Sequence, residues 1–165
     1  MGIQEITVEP GNPFIKSVDG VIYSIDGKKL ILYPSGKEGT SYVVPSGVKE
    51  IGEEAFDRCI YLEEITLPEG LETLGERAFQ VCASLTSITI PSGVTVLPRD
   101  LFRLCQALET ITLPSSIVRI DSGAFFYCTG LQGIYFQGDE TSWNNIKINS
   151  YENDVLDKVA IHFVA

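Results

Sequence analysis

Four cysteines, a single histidine and two pairs of adjacent glutamates are the side chains of this sequence best equipped for chemistry. Cys59, Cys82, Cys105 and Cys128 follow one another at intervals of 23 residues. Thiolates in a metal centre must converge on one point, whereas a long fixed interval strings them along a line. If that interval is one structural repeat, equivalent Cα atoms lie roughly 4.8 Å apart. Their Cβ vectors then run parallel, so the Cβ atoms stay near that separation instead of closing to the ~3.8 Å of a disulfide. The four are expected as free, buried thiols acting as small core residues. Replacing Cys82 by Ala should leave a small cavity, and Ser should cost more because its hydroxyl needs a buried partner. His162 lies in the alternating stretch Val159-Ala160-Ile161-His162-Phe163, which points it away from apolar neighbours. No Gly-x-Ser-x-Gly elbow offers a nucleophile for it to activate. Glu53-Glu54 and Glu63-Glu64 have the residue type of a glycosidase acid/base pair, but adjacent side chains diverge and no apolar pocket raises one pKa. Neither a Gly-rich phosphate loop nor a calcium-loop aspartate spacing occurs. The reading assigns no catalytic residue, no cofactor and no metal, and expects no enzyme.

The elements that position these residues are set by the same 23-residue step. Phe56, Phe79, Phe102 and Phe125 stand three positions before the cysteines, preceded by Ala55, Ala78, Leu101 and Ala124. Pro45, Pro68, Pro91 and Pro114 keep the step, as do the apolar columns that include Ile65, Ile88, Ile111 and Ile134, and Ile51, Leu74, Leu97 and Ile120. Such registers define an internal repeat. Segments such as Leu62-Glu63-Glu64-Ile65-Thr66-Leu67 alternate with period two and end at a proline that cannot donate a ladder hydrogen bond, so each coil starts with a short strand. A Gly-containing turn follows, then an apolar pair such as Leu71 and Leu74, and Glu76-Arg77-Ala78-Phe79 suits a brief helical turn. One coil cannot bury its apolar side alone and must stack on its neighbours with parallel strands.

The ends follow the template less closely. Ile3, Ile6 and Val8 fit the strand pattern, as do Leu156, Val159 and Ile161, giving seven expected strands near residues 3–8, 41–44, 64–67, 87–90, 110–113, 133–136 and 157–162. A first strand with no polar cap before it is expected of a piece whose upstream coils are cut away. Between it and the coil starting near Gly39, the segments Ile15–Val18, Val21–Ser24 and Leu30–Tyr33 are joined by Asp19-Gly20 and a loop with Asp26-Gly27, which are hairpin signals. Near the other end Trp143 falls where earlier coils have Leu or Ile, and Ile148 where they have Phe. One domain, 1–165, is expected: 1–38 the first strand and enlarged repeat, 39–130 four regular repeats, 131–165 a divergent repeat and final strand.

The unit Leu-x-x-Ile-Thr-Leu-Pro-x-Gly-Leu-x-x-Leu-x-x-x-Ala-Phe-x-x-Cys, as at 62–82, resembles the BspA-type leucine-rich repeats of bacterial surface and secreted proteins. The insert from Asn12-Pro13-Phe14 to Tyr33-Pro34 looks like that family's hairpin insert, and Ile134-Tyr135-Phe136-Gln137-Gly138 with Trp143-Asn144 looks like its C-terminal unit. The resemblance implies a leucine-rich repeat solenoid of the strand-rich α/β class, a right-handed curved stack with its parallel sheet on the concave face. It further implies an extracellular or cell-surface module, with a host or extracellular matrix protein among its ligands, and it implies no catalytic residues.

Charge narrows the partner. The 22 Asp and Glu against 12 Lys and Arg give a net charge of -10, which repels phosphate backbones, so no nucleic acid partner is expected. No stretch reaches the roughly 18 apolar residues of a membrane span, and Met1-Gly2-Ile3-Gln4 lacks the start of a signal peptide. A monomer is expected. On each strand the residues flanking the inward Ile face solvent, giving the columns Glu5, Ser41, Glu64, Ser87, Thr110, Gly133, Lys158 and Thr7, Val43, Thr66, Thr89, Thr112, Tyr135, Ala160. A footprint, if this face binds, centres on Thr66, Thr89, Thr112 and Tyr135, with Glu64, Ser87 and Thr110 beside them. The columns are poor in the aromatic and Arg anchors of tight interfaces, and a spacer that holds other domains of a longer chain apart is the competing role.

Overall fold

Ile65 is buried between exposed Glu64 and Thr66, and Ile88 between exposed Ser87 and Thr89. Burial with period two is what a strand with one covered face produces. The computed structural model describes residues 2–164. In chain order its strands are β1 (Ile15–Val18), β2 (Val21–Ser24), β3 (Lys29–Leu32), β4 (Ser41–Val43), β5 (Glu50–Ile51), β6 (Glu64–Thr66) and β7 (Thr73–Leu74). They continue as β8 (Ser87–Thr89), β9 (Val96–Leu97), β10 (Thr110–Pro114), β11 (Arg119–Ile120), β12 (Gly133–Gln137), β13 (Lys147–Ile148) and β14 (Ala160–Phe163). A short helix α1 (Glu140–Asn144) precedes β13, and a 3-10 turn, Asp154–Asp157, precedes β14. Strands β4, β6, β8, β10, β12 and β14 form one parallel six-stranded sheet, the main face. The two-residue strands form the opposing wall: β9, β11 and β13 in one sheet, and β5 and β7 in another that continues into the β1–β3 hairpins.

The core is a set of ladders running along the stack. Phe56, Phe79, Phe102 and Phe125 have no exposed surface and stack with ring centroids 5.4, 5.5 and 5.7 Å apart. Tyr33 extends the stack below Phe56 at 5.2 Å. The turns bond coil to coil as the strands do: the N–H of Phe56, Phe79 and Phe102 donate to the carbonyls of Ala78, Leu101 and Ala124 at 2.8, 3.0 and 2.8 Å. This ladder replaces the helical turn expected at Glu76–Phe79. Glu54, Arg77 and Asp100 occupy one left-handed column with Gly123, and Arg58, Val81, Leu104 and Tyr127 occupy a second. A left-handed residue every fourth position breaks an α-helix and aims its amides at the next coil.

At the N-terminal end the hairpin reading holds, with Asp19 (φ 49) and Gly20 (φ 78) making the two-residue turn between β1 and β2. Positive φ at both positions is what such a tight hairpin needs. The strand expected at 3–8 is not formed. Its backbone is spent on the insert: Ile6 N–H donates to Gly20 O and Val8 N–H to Ser17 Oγ, while Ile3 O accepts from Gly36 N–H. Ile3 remains 62% exposed. The place beside Tyr42 is taken instead by the insert's own tyrosines, Tyr23 through a hydroxyl–hydroxyl hydrogen bond and Tyr33 by edge contact at 4.7 Å.

The last coil corrects two further expectations. Ile148 pairs with Ile120, so it continues the Leu97 and Ile120 column and not the phenylalanine stack. From Ile120 to Ile148 the step is 28 residues, 148 minus 120, because α1 is inserted. Asp139 caps that helix, accepting from Ser142 N–H at 2.7 Å. Trp143 packs edge-on against Phe136 at 5.3 Å. The same displacement puts Asn153 beyond Phe125. Asn153 is buried, accepts from Phe125 N–H at 3.0 Å, and donates to Asp121 O and Asn149 O at 2.8 and 2.7 Å. A side-chain amide thus closes the turn ladder where earlier coils use a carbonyl. The final strand pairs Ile134 with Ile161, not with Val159, a two-residue shift that leaves each residue on its expected face.

Candidate binding face

The seven residues singled out by spacing all lie on the main face. Parallel register aligns Ser41, Glu64, Ser87, Thr110, Gly133 and Ala160 in one outward column. The next outward column carries Val43, Thr66, Thr89, Thr112, Tyr135 and His162. Glu64, Thr66, Ser87, Thr89 and Tyr135 are exposed, and Thr110 and Thr112 are half-buried. The register of β14 replaces the expected Lys158 and Ala160 by Ala160 and His162 at the end of these columns. His162 stacks on Tyr135 with centroids 4.8 Å apart and planes 19° apart, beside Gly133, which has no side chain. The strand pattern sets Val159 opposite Ile134, a step of 25 residues, whereas the observed register sets Ile161 there, a step of 27, because α1 lengthens the coil.

The main sheet is not uniform. Strands β4 and β6 pair over three residues, as do β8 and β10, whereas β6 and β8 pair only at Glu64 and Ser87. Beyond that single pair a depression of about 230 Å³ opens, lined by Glu64, Thr66, Glu69, Ser87, Thr89 and Pro91 among others. Outward positions on the main-face strands β4, β6, β8, β10 and β12 and the three residues before and after each strand include Glu63, Glu64, Glu69 and Glu109 but no Lys or Arg.

The chemical candidates resolve into packing and surface roles. The four cysteines are free and buried. Cys82, Cys105 and Cys128 donate S–H to the carbonyls of Phe56, Phe79 and Phe102 at 3.2, 3.1 and 3.1 Å. Burial pushes the Cys59 and Cys128 thiols up to about 12, and those of Cys82 and Cys105 well above the ordinary value. Glu53 and Glu54 are held by one guanidinium, Arg77, at 2.5 and 2.8 Å. Among the described residues no group of three His, Cys, Asp or Glu is placed to hold a metal ion, and no helix is long and apolar enough to cross a membrane.

A stack of short parallel coils, one wall of three- to five-residue strands and a core of Ile, Leu, Phe and Cys ladders, defines a leucine-rich repeat solenoid. The chain belongs to the BspA type leucine-rich repeat family, whose pattern matches residues 35–156 in six copies. It is similar to the crystal structure of a leucine-rich cell surface protein from Faecalibacterium prausnitzii A2-165, with 30% identity and a TM-score of 0.68, covering 86% of this chain and 44% of that one. The pneumococcal vaccine antigen PcpA is similar at 25% identity and TM-score 0.62, over 98% of this chain and 50% of that one. A leucine-rich repeat protein from Bacteroides capillosus ATCC 29799 is similar at 25% identity and TM-score 0.66, over 75% of this chain and 99% of that one. The chain thus spans half or less of the first two. A comparison with curated proteins gives no match.

Proposed function

We propose that the chain is a non-catalytic protein-binding module acting outside the cell or at its surface, and that it binds through the main face. The observation carrying this reading is the register that brings Glu64, Ser87, Thr110, Thr66, Thr89, Thr112 and Tyr135 onto one solvent-facing sheet. The apolar core is packed behind that face, so its side chains are free to meet a partner. The likeness to a leucine-rich cell surface protein supports the compartment. Host or extracellular matrix proteins are the ligand class proposed, and adhesion the use. A panel of purified matrix proteins, immobilised and probed by interferometry, tests this. Saturable binding that weakens at least tenfold in a Thr89→Ala/Thr112→Ala double variant supports the module. Absence of saturable binding, or binding indifferent to the double variant, favours the second reading, a spacer between other domains. That alternative draws on the hydroxyl-rich face, where Tyr135 is the single large aromatic on β6 through β12.

A further inference from the structure

The two ends of β6 open onto adjoining depressions. One lies between β6 and β8 and includes Thr66, Glu69 and Thr89; the other, about 210 Å³, includes Thr40, Glu63 and Thr86. They share Glu64 and Ser87, so together they form one trough that follows the direction of β6 from Glu63 to Glu69. Its extended part, from Glu63 to Leu67, runs on the order of 13 Å at roughly 3.3 Å per residue, the span of about four extended residues.

The trough carries charge of one sign. Several carboxylates elsewhere are neutralised, among them Glu50 by Lys29, Glu72 by Lys49, Glu53 and Glu54 by Arg77, and Asp100 and Glu152 by Arg103. Among the described residues Glu63, Glu64 and Glu69 take part in no ion pair, and neither trough depression is lined by Lys or Arg. Nor do these carboxylates converge as metal ligands do. Acid groups spread along a trough, with hydroxyls between them, match several cations at strand spacing better than one ion. We propose that this trough accepts an extended, lysine- or arginine-rich segment of a protein partner. The proposal rests on the reading of the main face as protein-binding and names the chemistry of what binds there.

The probes are a twelve-residue peptide alternating Lys and Thr and its counterpart alternating Glu and Thr, each followed by fluorescence anisotropy against the full chain. The Lys peptide should bind saturably and the Glu peptide should not. Screening should weaken binding as salt rises from 50 to 500 mM. A Glu63→Gln/Glu64→Gln/Glu69→Gln variant should lose about tenfold in affinity, as three solvent-exposed charge contacts would supply. A charge-matched variant on other surfaces, Glu9→Gln/Glu76→Gln/Glu140→Gln, should lose less than about twofold. Equal losses in the two variants would mean that net charge attracts the peptide, and the trough proposal falls. Binding of the Glu peptide, lost in Thr89→Ala/Thr112→Ala, would overturn the basic partner while keeping the main face as a binding surface. Binding of neither peptide overturns the proposal, and the matrix-protein panel then decides separately whether the face binds at all. Thermal melting by circular dichroism confirms folding of each variant; every substituted position is exposed except the half-buried Thr112.

Discussion

The cysteine ladder makes alkaline pH a sharp probe of the stack. In the folded chain, burial holds Cys59 and Cys128 up at about 12 from an ordinary 9.0, and Cys82 and Cys105 are also raised. A raised thiol pKa means the unfolded chain ionises first. The associated stability is therefore intact below pH 9 and lost as pH climbs from 9 toward 12. At pH 10, one pH unit above the unfolded thiol, each cysteine contributes a loss on the order of 1 kcal/mol, and the four together about 4–6 kcal/mol. Tyr33, raised to about 12, and Tyr23 and Tyr42, which are also raised by burial, begin ionising one unit later in the unfolded state and together add on the order of 1 kcal/mol at that pH. A loss of about 5 kcal/mol is comparable with the whole stability of a small domain. The assay is urea unfolding followed by far-UV circular dichroism at pH 8, 9 and 10 with reductant present. The midpoint should fall steeply between pH 9 and 10, and a Cys105→Ser variant should lose about a quarter of that fall. A midpoint that is flat across this range, or that falls identically in the variant, would refute the buried-thiol ladder.

Other substitutions probe single joints of the stack. Cys82→Ala should cost about 1 kcal/mol by cavity formation, and Cys82→Ser should cost within about 1 kcal/mol of that, because the carbonyl of Phe56 that accepts from the thiol is there to accept from a hydroxyl; urea midpoints compare the two. Asn153→Ala strips a buried amide that satisfies Phe125 N–H, Asp121 O and Asn149 O, and should cost about 2–4 kcal/mol by chemical denaturation. A cost under about 0.5 kcal/mol would show that the last coil does not need its side-chain cap. Arg58 is largely exposed at φ 58, so Arg58→Asn should raise the melting temperature by about 2–4 °C, the effect of up to about 1 kcal/mol of relieved backbone strain. A lowered melting temperature would contradict that.

The coil from Glu63 to Cys128 was legible because its packing is periodic: every inward position recurs, so one misread residue is outvoted by its column. The acceptor beside Cys82 was not legible for the opposite reason, since sequence does not display the carbonyl that waits beside a side chain. Residues 3–8 match a strand pattern, but their partners were decided by competition, and the tyrosines of the insert cover Tyr42 first. At the far end, α1 lengthens the coil with polar residues that keep no period, so the register of β14, and with it the place of His162 beside Tyr135, was hidden. The left-handed columns were hidden too. Arg58, Val81, Leu104 and Tyr127 give no glycine signal there, and only the ladder of coil-to-coil amides holds them in that conformation. The seven face residues were found from alternation alone; the depression among four of them arises from the loosened β6–β8 pairing, which no residue type announces.

The central claim, that the main face is the surface that binds, is tested most directly by threonine methyl NMR. Thr66, Thr89 and Thr112 lie on that face, while Thr73, Thr95 and Thr129 lie on the opposing wall or its turns. A chain labelled at threonine methyls is titrated with the alternating lysine peptide, then with each matrix protein that binds saturably. Shifts or broadening confined to Thr66, Thr89, Thr112 and their main-face neighbours are the predicted result. Equal or larger changes at Thr73, Thr95 and Thr129 would contradict it.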